Sequence, residues 1–204
     1  GYCVVFVCTG RYLGSSDLVD LVTLSPPEPF AYQQSIYAIK DTDTAYGNPR
    51  STLVQQTLVD TGGTTRTISN NPIDFAVQNG WFIDFNPGNT SPGERVNLDP
   101  QLVVGVLVVV TNVPNDNVCS AGGDSFTYNL DFRTGSYIPG VSGNVAGTKR
   151  TGQITVGFTI TESISGTKQN TPICATGACP PSPVPPPPPG SGARRVGWRE
   201  LLQK

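Results

Sequence analysis

Apolar and β-branched residues gather in three runs between Gly80 and Gly135, separated by segments rich in Gly, Asn, Pro and Asp. In the first, Gly80 to Phe85, residues Trp81, Ile83 and Phe85 alternate with Phe82 and Asp84, the period-two pattern of a strand with two distinct faces. The second, Leu102 to Val110, is almost continuous Val and Leu, broken by Gly105. A strand buried on both faces reads that way. The third, Ser125 to Phe132, runs into Asp131-Phe132-Arg133-Thr134-Gly135. That ending predicts a turn in which the Asp and Thr side chains bond nearby backbone N–H groups and Gly takes a positive φ. Together the three runs predict an antiparallel β-meander around one buried centre.

The flanking pattern has the same character. Residues 3–14 predict a buried strand turning at Thr9-Gly10, and residues 15–34 a loop whose prolines 26, 27 and 29 exclude a central strand. Ser35 to Lys40 is the next strand, and Thr52 to Leu58 and Thr64 to Ile68 are weaker ones. Gly140 to Gly147 reads as a linker. Gln153 to Thr161 has the cleanest alternation, placing Ile154, Val156, Phe158 and Ile160 on one face. From Thr171 the composition shifts to proline, and the polyproline II form makes a stiff spacer. The expected division is therefore a body over 1–170, a linker over 171–192 and a terminal docking segment over 193–204. In that last segment Arg194, Arg195, Trp198, Arg199 and Leu201 combine aromatic, apolar and guanidinium groups, a composition typical of binding anchors. The competing reading is a frayed terminus.

With 23 Gly, 19 Pro and neither Met nor His in 204 residues, the class is all-β. A formal net charge of −2 supplies no basic face for nucleic acid. The longest apolar run is about half of the roughly 20 residues a membrane helix requires. A chain that opens directly into strand-forming residues is expected to have been processed or cut from something longer, so the missing leader carries no information about export. The five cysteines do not form a zinc constellation, since none lie at CxxC spacing and His is absent. Cys174 and Cys179 are expected to close a small disulfide loop in an oxidising compartment. Cys3 and Cys8, an odd number of positions apart on one strand, should face opposite ways and stay unpaired with each other.

Ile36 to Thr44 and Tyr128 to Gly135 both run from an aromatic–apolar strand into Asp and a Thr turn. Strands that end in Asp-x-x-Thr-Gly are common in β-propeller blades. At about 40–50 residues per blade the body would supply three or four blades. Propellers close with about 4–8, so the chain is a very small propeller or part of a larger one.

Particular motifs narrow this. Thr9-Gly10-Arg11-Tyr12-Leu13-Gly14-Ser15-Ser16-Asp17-Leu18, followed by Gln34 to Asp41, resembles the late blades of the PilY family, large proteins associated with the tip of bacterial type IV pili. The likeness continues through Asn79 to Phe85, Gly93 to Val96, Val113-Pro114-Asn115 and Cys119 to Gly123, and the ending Arg194 to Leu201 is similar to the extreme C-terminus of some members. The resemblance implies the C-terminal portion of a seven-bladed, modified propeller. It also implies a role in pilus assembly, opposition to retraction, twitching motility and surface attachment, with minor pilins as partners and an exported, pilus-tip location. Two departures stand out. Cys8 replaces a more usual Gly, and Cys174 and Cys179 lie outside the pattern. The family's calcium loop is not carried over to Asp41 to Gly47, which lacks a ligand at the fifth position and Gly at the sixth. No cofactor is expected within this segment.

Catalysis finds little support. Without His, any nucleophile would need a carboxylate or Lys for activation. Asp84, Glu94 and Asp99 are the candidate carboxylates, but the favoured reading has Asp84 bonding a turn, Glu94 and Asp99 solvated, and Glu94 making at most a local contact beside Arg95. Two alternatives to a pilus-tip protein remain. One is a fragment of a quinoprotein-type propeller dehydrogenase, which would need more than the two Trp present. The other is a structural subunit of an extracellular filament.

Overall fold

The structure is a computed structural model that describes residues 3–10, 33–42, 45–88, 93–115, 122–175 and 177–190. Among these the regular structure is β, with two short 3-10 turns at Pro49–Ser51 and Ser142–Asn144. Among the described residues, thirteen strands form three sheets, none of which closes on itself. The first has the order β1 (Val4–Cys8), β2 (Ser35–Lys40), β6 (Gly80–Asp84), β3 (Val54–Gln56). Its pairs are antiparallel except β3 with β6, which is parallel. The second runs β4 (Leu58–Asp60), β5 (Thr65–Ile68), β10 (Val145–Arg150), β9 (Gly123–Asp131), β8 (Val106–Pro114), β7 (Gln101–Val103). The third is β11 (Thr155–Glu162), β12 (Lys168–Cys174), β13 (Ser182–Pro183).

The sheets stack in layers, and β8 shows why its sequence is apolar at nearly every position. Leu107 and Val109 face the first sheet and pack with Ile36, Trp81, Ile83 and Phe85. Val106, Val108 and Val110 face the third sheet and pack with Phe158, Ile138 and Val184. Both faces of the central layer are thus removed from water. Burying a side chain of this size stabilises by roughly 1.5–3 kcal/mol, so this one strand carries a large share of the layer contact.

Four details differ from the sequence expectations. The run Leu102 to Val110 is two strands rather than one. Val104 and Gly105, at φ 47° and 86°, form a two-residue hairpin between β7 and β8, because positive φ at both positions matches the strand twist. The expected single meander is also divided. β8 and β9 pair directly, whereas β6 lies in the first sheet and meets them face to face across the core. In β11 a bulge between Thr155 and Gly157 breaks the alternation. Ile154 and Phe158 are buried, but Val156 is turned out and 52% exposed, as expected when two residues oppose one. Finally, the stretch read as a linker ends in β10, an inner strand. Gly147 lets its backbone lie against the Tyr128 ring, where an added Cβ would meet ring carbon at 2.5 Å.

The C-terminal part also departs from a free spacer beginning at Thr171. Thr171 to Cys174 complete β12, Ser182–Pro183 pair with it, and Val184 is buried against β8 and Phe158. Proline in extended form suits an edge, where its missing N–H interrupts no ladder.

Candidate functional site

Two charged clusters and one strap contain the groups with chemical potential. The first cluster is internal. Glu94 sits in an irregular segment fixed by the Arg95–Asn112 backbone bridge, which turns its side chain into the space between the first two sheets. It is fully buried. Its Oε1 accepts from Thr111 Oγ1 at 2.5 Å and from the Tyr128 hydroxyl at 2.7 Å. Its Oε2 accepts from Arg66 Nη1 and from the Asn86 N–H. Arg66 also donates to Asp60 at 2.5 Å and to the Tyr128 oxygen at 2.5 Å, and its guanidinium carbon lies 3.7 Å from the Phe126 ring centre. Burial, followed by the charge of Glu94, pushes the Tyr128 phenol well above its ordinary value. Every acceptor site of Glu94 is used, so the cluster is an internal lock rather than an acid–base pair.

Gln56 is a second internal staple. It is fully buried and donates to Asn71 O and Thr134 O, while its carbonyl accepts from Ser69 Oγ and Asn71 N. Through Thr134 it holds the Asp131–Gly135 turn against the first sheet. That turn forms as the sequence predicts. Arg133 N–H donates to Asp131 Oδ1, Ser136 N–H to Thr134 Oγ1, and Gly135 has φ 68°. Trp81 donates its indole N–H to Phe132 O at 3.1 Å.

The second cluster lies on the outer face of the first sheet. Arg50 grips Asp84 with two bonds of 2.9 and 2.6 Å, bonds the Tyr37 hydroxyl and Ser35 Oγ, and stacks 4.5 Å from the Phe82 ring centre. Ser35 and Gln55 also donate to Asp84. Beside it opens a shallow cleft of about 330 Å³ lined by Gln33, Gln55, Thr57, Asp84 and Pro87 among others. The bidentate fork is a strong, directional contact, but Arg50 is partly exposed and solvent screens it.

These placements revise the carboxylate readings. Asp84 is held by Arg50 rather than by a turn, and Glu94 is buried rather than solvated. Each carboxylate has its own arginine, so they do not form a shared-proton pair. No local pattern singles out either arginine, because Arg66 and Glu94 lie 28 positions apart and Arg50 and Asp84 lie 34. Among the described residues, no group of three His, Cys, Asp or Glu side chains is arranged to hold a metal.

Cys174 and Cys179 are joined in a disulfide with Cα atoms 5.9 Å apart. Cys3 is exposed and unpaired, and Cys8 is a half-buried thiol pushed up to about 12 by burial and by the charge of Asp99. Cys119 lies outside the described residues, as do Arg194, Arg195, Trp198, Arg199 and Leu201.

No protein-family model matches the chain. In an alignment 156 positions long that covers 66% of the chain, it is 32% identical to the type IV pilus biogenesis factor PilY1 of Pseudomonas aeruginosa, in strains PAO1 and PAK alike. It is 29% identical over 143 residues to the PilY1 homolog of Xylella fastidiosa strain Temecula1. The chain spans 13% of the length of the first relatives and 9% of the last. In fold it is similar to the crystal structure of the Pseudomonas aeruginosa PilY1 C-terminal domain. The TM-score is 0.61 at 24% sequence identity, covering 84% of this chain and 40% of that one.

Proposed function

We propose, from the premise that this chain is a relative of the type IV pilus biogenesis factors PilY1 in sequence and of their C-terminal domain in fold, that it serves at a pilus tip as a non-catalytic scaffold. The observation that carries this reading is the 32% identity to PilY1. In this proposal the three open sheets belong to a larger propeller completed by the rest of the protein. The roles that follow are pilus assembly, control of retraction, twitching motility and attachment at the cell surface. Partners would be minor pilins, the rest of the same propeller, and a host or abiotic surface. Calcium, if used, would bind elsewhere in the longer protein. Among the described residues no helix is long and apolar enough to cross a membrane.

The internal geometry supports binding over bond-making, because the most buried carboxylate, Glu94, has no free acceptor site. Arg194, Arg195, Trp198, Arg199 and Leu201 would then anchor the protein to its own body or to a minor pilin. The test is to delete Arg194–Lys204 from the full-length gene product, and in parallel the whole gene, then count surface pili and measure twitching and attachment. Loss of tip localisation with the short deletion supports the anchor. Normal piliation and motility without the gene overturns the pilus assignment, whereas a bound quinone or quinone-dependent dehydrogenase activity would favour the enzyme alternative. Self-polymerisation without pilins would favour the filament subunit.

A further inference from the structure

The strap that follows β12 is held by few contacts. From Pro180 to Pro189 only Ser182 and Val184 carry a backbone N–H. Val184 N–H donates to Lys168 O at 3.0 Å, and the paired residues are Gln169 with Pro183 and Asn170 with Ser182. Arg150 Nη2 reaches Ser182 Oγ at 3.0 Å, Arg133 Nη1 reaches Pro189 O at 3.3 Å, and Val184 is buried in the cluster that holds Val108 and Phe158. The strap thereby ties the third sheet to the turn that ends β9. One term opposes closure. Asn170, beside Ser182, is 1% exposed and neither its side-chain nitrogen nor its oxygen has a hydrogen-bond partner. A buried amide in that state favours reopening to water.

The Cys174–Cys179 disulfide spans the reversal from β12 into this strap. A ring this small constrains little of the unfolded chain, so its effect on global stability is small and its effect on the reversal is local. We propose that the disulfide is a redox latch: oxidised, it keeps residues 180–189 seated on the body, and reduced, it frees them. The step requires a dithiol reductant. One of its thiolates attacks a cystine sulfur and its second thiol closes the reductant's own disulfide, while Cys174 and Cys179 leave as thiols. Two electrons and two protons are thus transferred. Release re-exposes Val184 and the apolar face of β8, rehydrates Asn170, and breaks the contact of Arg133 with Pro189. This holds whether or not the protein works at a pilus, since it rests on the strap alone.

Hydrogen exchange read by mass spectrometry on the full-length protein tests it. Peptides covering 168–174 and 182–190 are compared in the oxidised protein, after reduction with dithiothreitol, and in the Cys174→Ser/Cys179→Ser variant. Val184→Asp, with the disulfide intact, marks the exchange rate of an opened strap. Reduction and the double variant are both expected to speed exchange in these peptides by about tenfold or more toward that mark, with β8 and β9 unchanged. Unchanged exchange at Val184 on reduction overturns the latch. So does a Val184→Asp variant that exchanges like wild type, and so does loss of protection spread equally over β8 and β9.

Discussion

Replacing Glu94 tests the internal lock most directly. In Glu94→Met, Arg66 loses its buried carboxylate and keeps Asp60, whose side chain is 52% exposed, and the neutral Tyr128 oxygen. The hydroxyls of Thr111 and Tyr128 lose an acceptor in a dry site, as does the Asn86 N–H. Breaking a buried ion pair costs about 3–5 kcal/mol. The retained Asp60 and the Phe126 face under Arg66 place the expected loss near the lower end, at about 3 kcal/mol. For a domain of this size that corresponds to a fall in Tm of roughly 6–12 °C. The assay is a double-mutant cycle with Arg66→Met, by urea unfolding of the full C-terminal domain. Removing both charges relieves the unpaired guanidinium but leaves the two hydroxyls and the N–H unpaired. The double variant should therefore recover about 2–3 kcal/mol of the summed losses without reaching wild type. Additivity within about 0.5 kcal/mol would refute the lock.

Gly135→Ala is expected to destabilise by more than about 2 kcal/mol in the same assay, because φ is +68° and an added Cβ would meet the Trp81 ring at 2.5 Å. A loss under about 1 kcal/mol would show that the turn and ring can part. Cys8, pushed up to about 12 from 9.0 mainly by burial, should alkylate at least about 100-fold more slowly than exposed Cys3 at pH 8. Its raised folded value also means that the stability linked to it is present below pH 9 and is lost as pH rises toward about 12. Equal labelling by iodoacetamide would contradict the buried setting.

Strands with strong period-two or fully apolar patterns were legible from the residues alone. Ser35–Lys40 matches its observed bounds, and β5, β6 and β9 lie where the pattern places them, whereas the apolar run Leu102 to Val110 divides into β7 and the first half of β8. The Asp131–Gly135 turn is legible too, since Asp, Thr and Gly each bring a local backbone preference that does not depend on distant contacts. The motif order pointed to the PilY family, and sequence identity bears that out. What failed depended on partners far along the chain. β10 and β12 carry few large apolar residues and become strands because neighbours supply hydrogen-bonding edges, with Gly147 admitted beside Tyr128. The exposure of Val156 follows from a bulge set by pairing with Ile173. The pairings of Arg66 with Glu94 and Arg50 with Asp84 join positions that no local pattern links, and the proline strap reads as a free spacer until Val184 has a pocket. Backbone preference and side-chain period are written locally, but which sheet a strand joins and which charge meets which are decided when the layers close over β8.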